Sequence, residues 1–329
     1  MYIHAPCFNL DELARDNLHI HTSFSRCAKP EMTVENIFAE AARIGYRTIA
    51  LTDHYNDDID DEEALRRLET LREQGQKLGE PCRVLYGMEL SGYGIGKTLE
   101  GDKLRNALDY RLYSCNHYHL DFWEQAAEIT PRAYAEHALE NVTSLIKSGK
   151  PDCIAHPLTA GYVRAFEDKT LVSKAITDNE LGDIMTLAKE HEVAWELNIG
   201  NIYGDTEFSR RMWNTGRELG SCFNMGASDK EHRFCAAYER DKENTWSIKI
   251  EILPVAGRIF VFIRIAGRIF VFIRRAGALH RSPQLRRGWR RRCFRSPLPR
   301  GKRTRRFCPC RSHQVLLSWR PPFRGADRL

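Results

Sequence analysis

The feature that most constrains this chain is an alternation of two kinds of segment. Seven short apolar, β-branched runs (Asn17 to His21, Arg47 to Thr52, Arg83 to Met88, Tyr110 to Cys115, Asp152 to Ala155, Glu192 to Leu197 and Cys222 to Gly226) are separated by longer stretches. In five of those stretches, Thr33 to Ile44, Glu62 to Leu78, Pro131 to Lys147, Asn179 to His191 and Glu207 to Leu219, apolar residues recur at three- and four-residue spacing. Strands that alternate with amphipathic helices imply a parallel sheet with helical crossovers. Local signals agree: Thr33 is placed to cap a helix with Glu35 in its first turn, Thr130 precedes Pro131, and Gly149 follows the same helix.

Metal-capable side chains sit at the ends of these runs. His19 and His21 end the first, Asp53 and His54 the second, Glu89 the third, His117 and His119 the fourth, His156 the fifth and Glu196 the sixth, while Asp229 and His232 follow the seventh. An open sheet would spread them along a line. In a β/α barrel all strands deliver their carboxyl ends to one rim, so a closed α/β barrel is the expected architecture.

Charge divides the 329 residues in two. The net charge of +6 combines a body that is acidic at −10 through residue 274 with a tail, Arg275 to Leu329, at +16. Such a body does not grip nucleic acid by general electrostatics. Ten cysteines form no tight framework and the start of the chain lacks a secretory pattern, which together predict a reduced, cytoplasmic protein. The greasiest region is interrupted by Arg258, Arg264, Arg268 and Arg274, so a membrane span is not expected. That region is a tandem repeat, VAGRIFVFIR at 255–264 and IAGRIFVFIR at 265–274, strand-like and prone to aggregation. We expect a catalytic domain over 1–250 and a repeat-containing basic extension over 251–329 outside the barrel; a basic arm for nucleic acid is the less favoured reading of that extension.

Two histidines at i and i+2 on a strand share a face and can hold one ion. His19, His21, His54, Glu89, His117, His156, Asp229 and His232 exceed the needs of one tetrahedral zinc, and their mixture of imidazole and carboxylate suits two or three ions of zinc, manganese or iron, with Glu89 as a bridge. Such ions lower the pKa of water towards ~7 and neutralise phosphate oxygens, which points to hydrolysis. Ser114 and Cys115 are candidate nucleophiles by type, but no separate His/Asp partnership supports them. SGYGIGKT, Ser91 to Thr98, misses the first glycine of a phosphate-binding loop and is read as a flexible loop over the site.

The succession DNLHIHTSFS, IALTDH, YGMEL, NHYHL, CIAHP, WELN and GASDKEH resembles the polymerase and histidinol phosphatase (PHP) domain family, in order, from about Leu10 to Arg240. The resemblance implies a distorted (β/α)7 TIM-like barrel, a two- or three-metal centre and phosphoester hydrolysis. It implies that His19, His21, Glu89 and Asp229 hold one ion, that Glu89 bridges to a second on His117 and His156, and that a third takes His54, His232 and the side chain eight residues after the first histidine. Here that side chain is Cys27, where the family pattern has histidine; thiolate is a good zinc ligand. The closing motif also departs, since Asp229 and His232 are separated by two residues rather than one.

His117 fits the family's small-x-His-aromatic pattern better than His119. Catalytic weight is expected on Glu89, Asp229 and His54, substrate contact on Arg164 and Tyr118, and supporting roles on Asp53, Glu196 and Asn198. The expected function is hydrolysis of a small phosphate monoester, histidinol phosphate among the candidates. A PHP-type nuclease and a non-catalytic metal-stabilised binding module are the alternatives.

Overall fold

The computed structural model describes residues 3–159, 163–227, 249–255, 258–265 and 268–275. Seven parallel strands form one sheet in sequence order: β1 (Asp16–Ile20), β2 (Thr48–Tyr55), β3 (Arg83–Ser91), β4 (Tyr110–Ser114), β5 (Cys153–Ile154), β6 (Ala194–Asn198) and β7 (Phe223–Gly226). β7 returns beside β1, where the Ala227 amide donates to Asn17 Oδ1 at 3.2 Å. The sheet is thus a nearly closed (β/α)7 barrel of the TIM-like kind.

Burial explains why these strands read as continuous apolar runs: β1 is buried throughout, and seven of eight residues in β2 and eight of nine in β3 are buried. Outside, the Val34–Ile44 and Asp61–Leu78 helices press Val34, Ile37, Phe38, Leu68 and Leu71 onto Ile49, Leu51, Val84 and Tyr86. Inside, Ala50, Leu85 and Ala194 share a strand face with His54, Glu89 and Glu196, because side chains alternate with period two. The result is an apolar floor beneath a polar rim. Register then sets the rim: His54 lies opposite Glu89 in the β2–β3 pair, and an irregularity between Asn17 and Ile20 in β1 re-aims the strand that carries His19.

The helix ends follow the sequence signals. Thr33 and Thr130 accept hydrogen bonds from the amides of Asn36 and Ala133, and Gly149 takes a φ of 67° just past the Pro131–Lys147 helix. A capping box closes on Thr177 and Glu180. The segment from Ser91 to Thr98 is anchored to the Pro131–Lys147 helix: Asn141 Nδ2 donates to the Gly92 carbonyl at 2.8 Å and the Gly96 amide to Ser144 Oγ at 2.9 Å. Among the described residues no helix is long and apolar enough to cross a membrane, and the described cysteines Cys7, Cys27, Cys82, Cys115, Cys153 and Cys222 are free thiols.

A second sheet is antiparallel and has three strands: β8 (Lys249–Val255), β9 (Arg258–Ile265) and β10 (Arg268–Arg275), in the order β10-β9-β8. The two repeats are therefore strands, and β8 runs across the expected boundary at residue 250.

Close strand approach makes one glycine a test of the barrel. A Cβ at Gly87 in β3 would lie 2.3 Å from the Tyr110 carbonyl oxygen of β4, and a backbone atom cannot swing aside. Gly87→Ala is expected to cost about 1–3 kcal/mol of unfolding free energy, read as a lower denaturant midpoint with an unchanged slope.

Candidate metal centre

Glu89 is the hub of the rim. Its Oε2 lies 3.2 Å from His19 Nε2, 3.6 Å from His21 Nε2 and 2.9 Å from His54 Nδ1, while its Oε1 lies 2.8 Å from His156 Nε2 and 3.4 Å from His117 Nε2. One carboxylate is thus flanked by five imidazoles from four segments, three at one oxygen and two at the other. Glu89, His19, His21, His117 and His156 are all buried.

Spacing tests whether these donors fit an ion. His19 Nε2 is 3.1 Å from His21 Nε2, so with the two distances to Glu89 Oε2 the three atoms form a triangle with edges of 3.1, 3.2 and 3.6 Å. With metal–donor bonds of about 2.0–2.1 Å, the edge between neighbouring donors is roughly 3.0 Å in an octahedron and 3.4 Å in a tetrahedron. The set fits a divalent cation. His54, Glu89 and His117 make a second set with ligand atoms within 4.8 Å of one another, and His21, Cys27 and His54 a third.

Charge points the same way. Burial alone would raise the Glu89 carboxyl, yet His54, His19 and His117 hold it well below the usual carboxylate range. Burial opposes a charged His19, but Glu196 and Glu89 outweigh it and push its pKa up to about 10; against the same opposition Glu89 and Cys27 push His54 up to about 9. His117 goes well below its ordinary value, chiefly through burial, with Glu89 opposing and neighbouring His156 and His54 adding to the fall. The carboxylate demands positive charge, which a cation supplies in place of protons.

Neighbouring groups hold the rings. Glu196 Oε1 sits 2.8 Å from His19 Nδ1 and its Oε2 accepts from the His156 amide, so one carboxylate positions donors on opposite sides of Glu89. Asn198 Nδ2 donates to Glu196 at 3.1 Å. Buried Asp53 accepts from the Thr22 amide at 2.7 Å and from the Thr22 and Ser25 hydroxyls at 2.6 Å each, fixing the turn after β1; Ser25 Oγ also lies 3.4 Å from His21 Nδ1 and accepts from the His54 amide at 3.1 Å. That turn carries Cys27 to His54. The supporting roles expected of Asp53, Glu196 and Asn198 match these contacts.

Three positioning residues escaped sequence reasoning. Ser25 was one polar residue among several in a turn. Asn116 Nδ2 donates to the His156 carbonyl at 2.9 Å and holds that residue at a φ of 30°, and Ser114 Oγ lies 3.3 Å from His117 Nδ1. Ser114 therefore serves a ring, and burial pushes the Cys115 thiol up, away from nucleophilic use.

The other expected site residues are placed as follows. His119 does not join the sets around Glu89 but lines the cavity at the rim, its ring 5.4 Å from that of His117. Tyr118 is buried beside Tyr134 with its hydroxyl 3.0 Å from His137 Nδ1, and it is not among the residues that line this cavity. Arg164 is exposed and donates to the His119 carbonyl, 3.9 Å from Asp121 Oδ1. Asp229 and His232 lie outside the described residues.

With this geometry in hand, comparison with known families is decisive: the PHP domain matches residues 17–199, more than half of the chain. The chain belongs to the PHP domain family. No curated protein matches it. Membership accounts for the Glu89 cluster, since PHP domains hold divalent metals for phosphoester hydrolysis, and the matched span contains every described donor named above.

Glu196 supplies the test of the outer layer. Glu196→Gln keeps the shape but removes the charge facing His19, and metal affinity measured by competition with a chelator is expected to fall by about 10–100-fold. Unchanged affinity would mean that Glu196 does not orient the donors.

Proposed function

We propose that this PHP domain hydrolyses the phosphate monoester of a small metabolite, in the manner of a histidinol phosphatase, with two or three divalent ions of zinc, manganese or iron held around Glu89. The observation that carries the reading is the split of five imidazoles between the two oxygens of one buried carboxylate. His19 and His21, with Asp229, are assigned to one ion, His117 and His156 to a second across Glu89, and His54, Cys27 and His232 to a third. When bound, such ions lower the pKa of water and neutralise the oxygens of a phosphate under in-line attack.

The chain's own residues do the rest. Glu89 holds its charge at the base of the rim, and Glu196, Ser25 and Ser114 keep His19, His21 and His117 turned inward. The adjoining cavity, about 280 Å³, is lined by Cys27, His54, His117 and His119 together with Arg26, Asn56 and Arg67. That volume favours a small phosphorylated substrate over a long polynucleotide. Arg164, bound to the rim through the His119 carbonyl, is assigned to the substrate phosphate.

Two measurements test the reading. Protein loaded with manganese or zinc is expected to release inorganic phosphate from a panel of small monoesters; Glu89→Gln should lose bound metal and turnover together, and Arg164→Ala should raise KM more than it lowers kcat. No phosphate from any monoester at full metal occupancy would end the phosphatase proposal. Separately, Cys27→Ala should lose about one metal equivalent by elemental analysis while the His19/His21 ion stays. An unchanged metal count would remove Cys27 from the ligand set.

A further inference from the structure

The three-stranded sheet carries an inference independent of the metal centre. β9 and β10 each contain the heptapeptide Arg-Ile-Phe-Val-Phe-Ile-Arg, at 258–264 and 268–274, and it reads the same in both directions about Val261 and Val271. The two strands pair antiparallel along their length, from Arg268 opposite Ile265 to Arg275 opposite Arg258. The segment therefore already pairs with a copy of itself inside one molecule.

The two edges of that sheet differ. β8, at one edge, carries Lys249, Glu251 and Pro254, residue types that blunt an edge because charge resists stacking and proline has no amide hydrogen to offer. β10, at the other, has five consecutive apolar residues from Ile269 to Ile273, without proline, glycine or charge. Among the described strands none pairs with the outer edge of β10. Within the chain, the β9–β10 pairing sits one position away from the palindromic register, with Val261 opposite Phe272. A pair formed between two molecules is free of that offset.

We propose that β10 is a self-association edge, on which a second copy of this chain pairs its own β10 antiparallel about a twofold axis at Val271. The register is then symmetric: Val271 faces Val271, Phe270 faces Phe272, Ile269 faces Ile273 and Arg268 faces Arg274. A palindrome is what an isologous antiparallel pair needs, since each residue meets the same surroundings in both copies. Main-chain hydrogen bonds join the two sheets into one of six strands, ordered β8-β9-β10-β10-β9-β8. The facing arginines at both ends oppose the pair through like charge, so added salt strengthens it.

The test uses the full-length protein. Sedimentation at micromolar concentrations should give twice the chain mass of 38.1 kDa, with the dimer favoured further as salt rises. Val271→Pro deletes the central amide hydrogen and should return the mass to that of one chain, with the far-ultraviolet spectrum and metal content of the barrel unchanged. Because proline could also disturb β9 pairing, Val271→Cys gives a second reading: oxidation should produce a reducible dimer above the background of the native cysteines, as facing residues in an antiparallel pair lie within disulfide range. Ile252→Cys on β8 should not. A single-chain mass for the unaltered protein at every concentration, a dimer that survives Val271→Pro, equal crosslinking through Ile252→Cys, or open-ended growth in place of a closed dimer would each overturn the proposal.

Discussion

Burying a carboxylate without compensation costs several kcal/mol, and Glu89, at 1 % exposure, is buried almost completely. The barrel meets that cost with imidazoles drawn from β1 and the residues just after it, from β2, and from the segments following β4 and β5. These parts of the chain are distant in sequence, and only the curling of the sheet into a barrel brings them within 3.6 Å of one side chain. Closure and the charge cluster are therefore one constraint seen from two sides. The small floor residues Ala50 and Ala194 contribute by leaving the interior narrow enough for the rim side chains to converge.

A second layer turns convergence into aim. Imidazole rings rotate about two bonds, so a set of histidines becomes a donor set only when the outward nitrogen of each is engaged. Glu196 does this for His19 and, through the backbone, steadies His156, whose φ of 30° is costly for a residue with a side chain. Asn116 binds the other end of the same peptide segment. That backbone strain is maintained from two sides by buried polar groups, which places the rigidity of the site in side chains that touch neither substrate nor ion.

The strands were legible because parallel strands buried on both faces have little choice but to be apolar, and all seven lie within a few residues of where the pattern puts them. Helices of four to six residues, such as Leu10–Leu13, Leu171–Ala175 and Ile199–Gly204, went unread because fewer than two turns cannot show a 3.6-residue period. At the site, the identities His19, His21, His54, Glu89, His117 and His156 were readable from position at strand ends. Their aim was not. Tyr118 engages His137 on the Pro131–Lys147 helix, while Ser25 and Asn116 act across the fold, at sequence separations that no local pattern records.

The same geometry explains where the chain can depart from its family's pattern. His19, His21, His54, His117 and His156 all face Glu89, so exchanging any of them for an anionic donor would place a second negative charge against a buried carboxylate with fewer imidazoles to balance it. Cys27 is different: it is exposed, it sits on the turn held by Asp53, and the donors it approaches are His21 and His54 rather than Glu89. A sulfur there is exposed to solvent and groups with the imidazoles of His21 and His54. Of the described metal-capable positions, this outer one can carry sulfur in place of nitrogen at the lowest electrostatic cost.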